Sequence, residues 1–238
     1  MLNNILTQIK DYSDVHWKTQ DSTKDSILFY RLTNDGNALN LFRERIKAAN
    51  YKYLVINKDA GTTNENTFVV GEEHWPELQK VLLDKIYPLP SIKFIAVTGT
   101  NGKTTTANLV LQLGESLGFK GMSIGTLGVR DINGELCDFG LTSPSYIDLR
   151  KFLHSYGRDK DFCVMEASSH ALMQDRLYNI KFDVAGWLSF SQDHLDYHKT
   201  MGEYFLAKAR IYQYLAGPLF IPEDQEELSQ ILTSYKYS

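Results

Sequence analysis

The sequence contains little cysteine, and its two cysteines argue against disulfide bonds. Cys137 and Cys163 are the only ones among 238 residues, and they form no CxxC pair. Cys163 lies within an apolar run, DFCVMEA. We therefore expect Cys163 to be a buried, reduced thiol in a protein that works in a reducing compartment.

Long apolar runs and an excess of charge are also missing. No run approaches the ~18–20 apolar residues of a membrane span, and the first residues, MLNNILTQIKDYSD, do not have the pattern of a signal peptide. The formal net charge is −4, which provides no electrostatic basis for binding nucleic acid or an anionic membrane. We expect a cytoplasmic monomer without nucleic-acid or membrane partners.

The composition is that of an ordinary globular protein, with 43% hydrophobic and 23% charged residues. A chain of this length forms one or two domains, and we predict two. Residues 1–88 form a small mixed N-terminal domain, with a helix candidate in NALNLFRERIKAAN and strand candidates in SILFYRL, YKYLVIN and TFVVG. The proline-containing segment YPLPS is the expected hinge before the second domain, residues 89–238.

The second domain alternates strand-like and helix-like segments, which is typical of an α/β fold with a mainly parallel sheet flanked by helices. In the first helix candidate, TTTANLVLQLGESLG, one apolar face is predicted from Ala107, Val110, Leu113 and Leu117, and Gly118 is a stop signal. The strand candidates are IKFIAVT, GMSIGTLGV, DFCVMEA and FDVAGWLSF. Ligands of such sheets bind beyond the carboxyl ends of the strands.

The segment after the first of these strands, TGTNGKTTT, predicts a nucleoside triphosphate site. Gly99 and Gly102 allow the backbone N–H groups to turn toward an anion, and the following helix adds its positive N-terminal end. Lys103 can reach the outer phosphates, and Thr104 can place its hydroxyl on a magnesium ion. Val97 replaces the first glycine of the strict G-x-x-x-x-G-K-[ST] pattern, so the alternative is an ordinary glycine-rich turn.

Three more polar side chains are expected at the same edge of the sheet. Glu166 ends DFCVMEA, His194 follows the next strand, and Lys208 lies on the apolar face of a helix predicted from an N-cap at Thr200 to residue 215. A free ammonium would repel a metal ion, whereas a lysine that has added carbon dioxide is an anionic oxygen donor suited to a hard cation. The alternatives are an edge position in water for Glu166, an exposed loop histidine for His194 and, for Lys208, a side chain that extends its charge to solvent. We expect His198 to be an exposed loop histidine.

Together these segments resemble the Mur ligase family, most closely the MurE type. The matching segments are VTGTNGKTTT, LTSPS, MEASSHALMQDR, SQDHLDYHKTM and AKARIY, in the order of the family, and DSTKDSILFYRL is similar to its N-terminal DSR-x-x-x-x-GDLF segment. The resemblance extends from about residue 20 to residue 215. It implies a UDP-precursor-binding N-terminal domain followed by a P-loop-type central domain that binds ATP and Mg²⁺.

The resemblance also assigns roles by position. The implied ATP-binding residues are Gly99, Thr100, Asn101, Gly102, Lys103, Thr104 and Thr105. Thr104 and Glu166 are implied for one magnesium ion, and Glu166, His194 and carbamylated Lys208 for a second; Lys103, Glu166, His194 and Lys208 form the implied catalytic set. The implied ligands of the UDP-sugar peptide are Ser22, Thr142, Ser143, Ser168, Gln174 and Arg176.

The implied reaction adds the third residue of the peptidoglycan stem peptide, diaminopimelate or L-lysine, to UDP-MurNAc-L-Ala-D-Glu. The D-glutamyl carboxylate attacks the γ-phosphate of ATP, and the amine of the amino acid then displaces phosphate from the acyl phosphate. Magnesium and Lys103 would neutralise the charge on the moving phosphoryl group.

The sequence departs from the family pattern in several places. Nothing after residue 215 resembles the C-terminal domain that binds the amino acid, so we expect a fragment or a truncated homologue whose central sheet is incomplete. Ser189 and Leu141 stand where the family usually has asparagine, and Thr23 where it has arginine. The alternatives are a non-catalytic protein that binds nucleotide or UDP-precursor, and a folylpolyglutamate synthase-like ligase.

Overall fold

The computed structural model describes residues 2–61, 64–140 and 142–236. They divide into two compact units, Met1–Pro88 and Leu89–Ser238. Leu141, one of the departures from the family pattern, lies outside the described residues. Within the described ranges every helix is too short or too polar to cross a membrane.

The first unit contains a parallel sheet whose four strands are adjacent in chain order. The strands are β1 (Asp14–His16), β2 (Ser26–Tyr30), β3 (Tyr53–Ile56) and β4 (Thr67–Val69), and the helices are α1 (Leu2–Gln8), α2 (Ala38–Ala48) and α3 (Trp75–Ile86). Leu28, Leu54 and Ile56 pack against Phe42 of α2. The predicted strands and helix are confirmed; α1, β1 and α3 lie outside the predicted elements.

The second unit contains a seven-stranded sheet in the order β11-β10-β5-β9-β6-β7-β8. The strands are β5 (Lys93–Thr98), β6 (Gly121–Gly125), β7 (Gly128–Asp131), β8 (Gly134–Cys137), β9 (Phe162–Glu166), β10 (Val184–Trp187) and β11 (Leu219–Phe220). The pairs from β11 to β6 are parallel, whereas the β6–β7 and β7–β8 pairs are antiparallel. A mainly parallel sheet is therefore confirmed, and Cys163 is buried and unpaired within it, as predicted.

Seven helices of the described residues accompany this sheet. They are α4 (Lys103–Ser116), α5 (Tyr146–Tyr156), α6 (Ser169–Met173), α7 (Leu195–His198), α8 (Met201–Ala209), α9 (Ile211–Tyr214) and α10 (Glu226–Lys236). The Thr200 side chain accepts a hydrogen bond from the Glu203 N–H, which confirms the predicted N-cap.

Two of the predicted elements are each divided in the structure. The segment GMSIGTLGV forms the β6–β7 hairpin rather than one strand, because Gly128 adopts a φ of +82° where the chain reverses. The single helix predicted from Thr200 to residue 215 is interrupted at Arg210, which separates α8 from α9.

The predicted apolar face of α4 is partly wrong. Ala107 and Leu111 are buried and pack against Phe162 and Val164 of β9. Leu113 and Leu117, predicted to be on the buried face, are 60% and 66% exposed. The helix has leucines on two faces, so spacing alone could not decide which face meets the sheet.

Candidate active site

The glycine loop between β5 and α4 turns its backbone through two positive φ angles. Gly99 has φ +143° and Gly102 has φ +85°, in the region that favours glycine. A side chain at Gly99 would lie 3.1 Å from the Ser189 amide nitrogen. The Ser189 carbonyl accepts from the Thr100 N–H at 3.0 Å, and its hydroxyl accepts from the Asn101 N–H at 3.1 Å. Ser189 thus supports the loop, although it replaces the usual asparagine.

Two lysine amines converge on one carbonyl of this loop. Lys103 Nζ donates to the Gly99 and Thr100 carbonyls at 2.9 Å, and Lys208 Nζ donates to the Gly99 carbonyl at 2.7 Å. The Lys208 amine also lies 4.8 Å from the centre of the Tyr204 ring. Two amine groups therefore meet beside the N-terminus of α4, where the helix dipole favours an anion.

Lys208 does not extend to solvent, since it is only 1% exposed. Burial, together with the nearby Lys103 charge, lowers the pKa of its amine to about 7, although Asp193 opposes the shift. Burial likewise lowers the pKa of Lys103, although Glu166 and Asp193 oppose that change. A large fraction of Lys208 is consequently uncharged at neutral pH.

Glu166 is buried at the end of β9 and faces the first turn of α4. Its Oε2 accepts hydrogen bonds from the hydroxyls of Thr104 at 3.0 Å and Thr126 at 3.2 Å, and its Oε1 accepts from the Thr126 N–H at 2.9 Å. Glu166 is only 3% exposed, so the alternative that it is a solvated carboxylate at the edge of the sheet is wrong. Thr126 was not predicted, but it directly follows β6, so the rule that ligands bind at strand ends could have identified it.

The Thr104–Glu166 pair suits a magnesium ion. Both groups present oxygen atoms, which are the donors that Mg²⁺ prefers. A cavity of about 10 Å³ beside them is also lined by Asn108 and Ser123, and this is close to the volume that one water or ion requires. The residues therefore offer a hydroxyl and a carboxylate as ligands for one such ion.

His194 is placed differently from the other predicted ligands. Its side chain is 47% exposed, and its Nε2 lies 3.4 Å from Asp193 Oδ2. Its ring meets the His170 ring edge to face at 5.1 Å. In residues 2–61, 64–140 and 142–236 no three His, Cys, Asp or Glu side chains form a set that could hold a metal ion, so the second magnesium ion stays a prediction.

His198 was expected to be exposed, and this expectation is wrong. The residue is 4% exposed, and its Nε2 is 2.9 Å from the Ser169 hydroxyl. Its ring also packs against the Tyr204 ring at 5.2 Å. The short helix α7 turns His198 toward α6 and α8, an orientation that the loop-like sequence SQDHLDYH did not indicate.

The residues predicted to hold the UDP-sugar peptide form a hydrogen-bonded group, except for Ser22. Ser143 Oγ donates to the Glu166 carbonyl at 3.1 Å and lies 3.3 Å from Ser168 Oγ. Arg176 Nη1 donates to the Ser143 carbonyl at 2.7 Å, and its Nε and Nη2 donate to Gln174 Oε1. This group adjoins the Glu166 end of the site.

Two other predicted substrate ligands have local partners. Thr142 Oγ1 lies 3.3 Å from Thr126 Oγ1, which connects it to the Glu166 network. Ser22, in the first unit, is buried and donates to the Thr19 carbonyl at 2.7 Å.

A family model and individual relatives of known name match this chain in sequence. Residues 97–237 match the family described as Mur ligase middle domain. A relative from Rickettsia bellii, named UDP-N-acetylmuramoyl-L-alanyl-D-glutamate–2,6-diaminopimelate ligase, is 40% identical over 186 residues, which is 75% of this chain and 39% of the relative. A relative of the same name from Listeria innocua is 41% identical over 140 residues, 58% of this chain and 28% of the relative.

Solved structures show the same fold. A structure of a UDP-N-acetylmuramoyl-L-alanyl-D-glutamate–2,6-diaminopimelate ligase superimposes with a TM-score of 0.78 at 26% identity, covering 95% of this chain and 46% of that one. MurF ligase from Thermotoga maritima in complex with ADP matches with a TM-score of 0.60 at 14% identity, covering 95% of this chain and 50% of that one. The present chain spans about 40% of the length of the first curated relatives it matches.

Proposed function

The chain belongs to the Mur ligase family, and on that basis we propose that it serves an ATP-dependent ligase that extends the peptide of UDP-MurNAc-L-Ala-D-Glu by one amino acid. The relatives are named as 2,6-diaminopimelate ligases, so diaminopimelate is the proposed amino acid rather than L-lysine. The observation that supports this most directly is the 3.0 Å contact between Thr104 and Glu166 beside the lysine-bearing glycine loop.

The residues of the loop would bind the nucleotide and oppose its charge. The first N–H groups of α4 have no carbonyl partner within the helix, so they are available to phosphate oxygens. Lys103, now bonded to two loop carbonyls, would turn to the outer phosphates. Thr104 and Glu166 would hold Mg²⁺, which when bound supplies positive charge for transfer of the γ-phosphoryl group to the substrate carboxylate.

Arg176 would orient the acceptor substrate. Its guanidinium is fixed by the Ser143 carbonyl and Gln174 Oε1, and its planar fork can bind a carboxylate or diphosphate through paired hydrogen bonds. Burial lowers the pKa of Arg176, yet a guanidinium stays charged in proteins. The group therefore provides a positive, directed contact next to Glu166.

Carbamylation of Lys208 is part of the proposal. Only an unprotonated amine attacks carbon dioxide, and the lowered pKa of Lys208 makes that form abundant at neutral pH. A bond then forms between Nζ and the carbon, and the nitrogen loses a proton, which leaves an anionic carbamate. Incubation with ¹³C-bicarbonate should give a carbamate NMR signal in the wild type and none in Lys208→Arg; a signal of equal size in both would contradict the assignment.

We also place the protein in the cytoplasm, which its two unpaired cysteines, Cys137 and Cys163, support. Monomeric behaviour stays a prediction.

The N-terminal unit, with Ser22, is proposed to bind the UDP part of the precursor.

Calorimetry with Mg·ATP and with UDP-MurNAc-L-Ala-D-Glu tests the proposed function. The wild type should bind both, and Arg176→Ala should lose about tenfold in affinity for the UDP-dipeptide, equivalent to one charge-assisted hydrogen bond. Arg158→Ala, at an exposed arginine of the same unit, is the control and should leave both affinities unchanged. No binding of the UDP-dipeptide by the wild type would contradict the proposal.

Phosphate release separates the ligase from the non-catalytic alternative. If the chain is catalytic, phosphate release should require both ligands and disappear in Lys208→Arg, and added bicarbonate should not restore it. Binding of both ligands without phosphate release by the wild type would favour a protein that only binds them.

A further inference from the structure

Helix α6 ends in a cap that places Asp175 in an unfavourable conformation. The Arg176 N–H donates to the Ala171 carbonyl at 3.0 Å, which is the 6→1 hydrogen bond of a Schellman motif. Asp175 occupies the left-handed position of this motif with φ +49°, where glycine is preferred. A β-carbon at such a position carries strain that the surrounding structure must offset.

The Asp175 carboxylate provides contacts that glycine could not. Its Oδ1 accepts from Arg210 Nη2 at 2.7 Å and from the Tyr214 hydroxyl at 3.0 Å. Arg210 Nη1 donates in addition to the Met173 carbonyl at 3.2 Å. One guanidinium therefore holds both the side chain and the backbone of the turn, and its bond to the carboxylate is charge-assisted.

The two elements joined in this way each contain a residue of the candidate site. Arg176 directly follows Asp175 and donates to the Ser143 carbonyl. Arg210 lies at the interruption between α8 and α9, two residues after Lys208, whose amine contacts the Gly99 carbonyl. A displacement of Asp175 would therefore change the positions of both Arg176 and Lys208.

We propose that Asp175 is a positioning residue that locks the Arg176 turn to the end of the Lys208 helix through Arg210 and Tyr214. In this arrangement Arg176 is directed at an anionic group of the substrate, a carboxylate or a diphosphate, while Lys208 is kept buried against the glycine loop. The inference rests on the proposed function for the roles of Arg176 and Lys208. The contacts themselves do not depend on it.

The variant Asp175→Gly distinguishes a positioning role of Asp175 from a role in forming the turn alone. Glycine suits the left-handed backbone better than aspartate does, so a residue needed only for the turn would tolerate this change. Asn179→Gly is the matched control, because Asn179 is another non-glycine residue with a positive φ, +59°, in the same segment. Thermal unfolding of all variants verifies that they are folded.

The first measurement is the rate at which acetic anhydride acetylates Lys208, read by peptide mass spectrometry. Lys160, which pairs with Asp131 at 3.2 Å and is 12% exposed, is the internal reference. Asp175→Gly should raise the rate at Lys208 about tenfold relative to Lys160, because one charge-assisted pair no longer holds α8 in place. Asn179→Gly should leave the ratio unchanged, and a wild-type ratio in Asp175→Gly overturns the proposal.

The second measurement is the calorimetric affinity for UDP-MurNAc-L-Ala-D-Glu, which should fall about tenfold in Asp175→Gly as Arg176 loses its orientation. If the wild type does not bind this ligand, the proposed function fails, and the acetylation ratio alone decides the role of Asp175. If Asp175→Gly does not fold, Asp175→Asn replaces it. That variant keeps the shape but loses the charge, so an acetylation ratio about threefold above wild type is expected and an unchanged ratio overturns the proposal.

Discussion

Lys208 lies on a helix of nine residues, yet its amine contacts a carbonyl that is 109 positions away in the chain. The side chain is enclosed beside Tyr204 and Lys103, and burial makes its charged form unfavourable. The sequence showed only that a lysine occupied an apolar face. Whether it would reach water or turn inward depended on the position of α8 relative to the glycine loop.

The lowered pKa of Lys208 predicts a pH dependence of stability. The folded-state pKa is about 7 and the unfolded value is about 10.4, so between these values the unfolded state binds more protons. The free energy of unfolding should therefore rise with pH across this range, and this contribution should be absent in Lys208→Met. Urea unfolding at about pH 7, 8 and 9, in buffer freed of carbon dioxide so that Lys208 stays an amine, gives the slope of the free energy of unfolding against pH for the wild type and for Lys208→Met. Equal slopes would show that the amine is not shielded from water.

Gly125 provides a test of the Glu166 carboxylate. A β-carbon at Gly125 would overlap Glu166 Oε1, so Gly125→Ala should displace the carboxylate and lower the affinity for Mg·ATP about tenfold, with a stability loss of about 1–3 kcal/mol. Gly202→Ala in α8 is the control, because the nearest atom to its new β-carbon, Thr200 Oγ1, is 3.9 Å away. Calorimetry at fixed magnesium concentration distinguishes the two; unchanged affinity in Gly125→Ala would remove Glu166 from the metal site.

At the level of elements, helix α4 shows what periodicity can and cannot decide. The glycine loop before it and Gly118 after it determined its ends closely, because positive-φ glycines mark such boundaries. Its leucines at 109, 111 and 113, with Leu117 directly after it, cover more than one face, and only packing against Phe162 and Val164 selected Leu111. Which face of a helix is buried therefore depends on the strand or helix that it packs against.

Two substitutions on α4 compare how much its buried and its exposed face contribute to stability. Leu111→Ala should lower the free energy of unfolding by about 2–5 kcal/mol, since it opens a cavity against β9. Leu113→Ala, the matched change on the exposed side, should alter it by less than about 0.5 kcal/mol. Urea denaturation of both variants gives the comparison, and a similar loss for each would mean that Leu113 is covered in solution.

At the level of the whole molecule, the two units have separate cores. Leu28, Phe42 and Leu54 belong to a cluster within the first unit, and Phe94, Met165 and Trp187 belong to a cluster within the second. The boundary between the two units follows Pro88, within the segment YPLPS. Each unit therefore contains the buried apolar surface that a folded domain needs.

Residues 1–88 and 89–238, expressed separately, should each fold. Each fragment should show a cooperative thermal transition by circular dichroism and retain helical signal at 25 °C, because each contains a hydrophobic cluster of its own. An uncooperative melt of residues 89–238 would indicate that the second unit depends on the first.

The sequence by itself determined the α/β alternation, the glycine loop and the strand ends at which Glu166 and the loop lie, because these follow from local backbone preference and from the rule that parallel strands end at one edge. It did not determine the burial of His198, the inward path of Lys208, the exposed face of α4 or the contact of Asp175 with Arg210. Those features join residues far apart in the chain, and they were decided only when helices packed on the sheet and on each other.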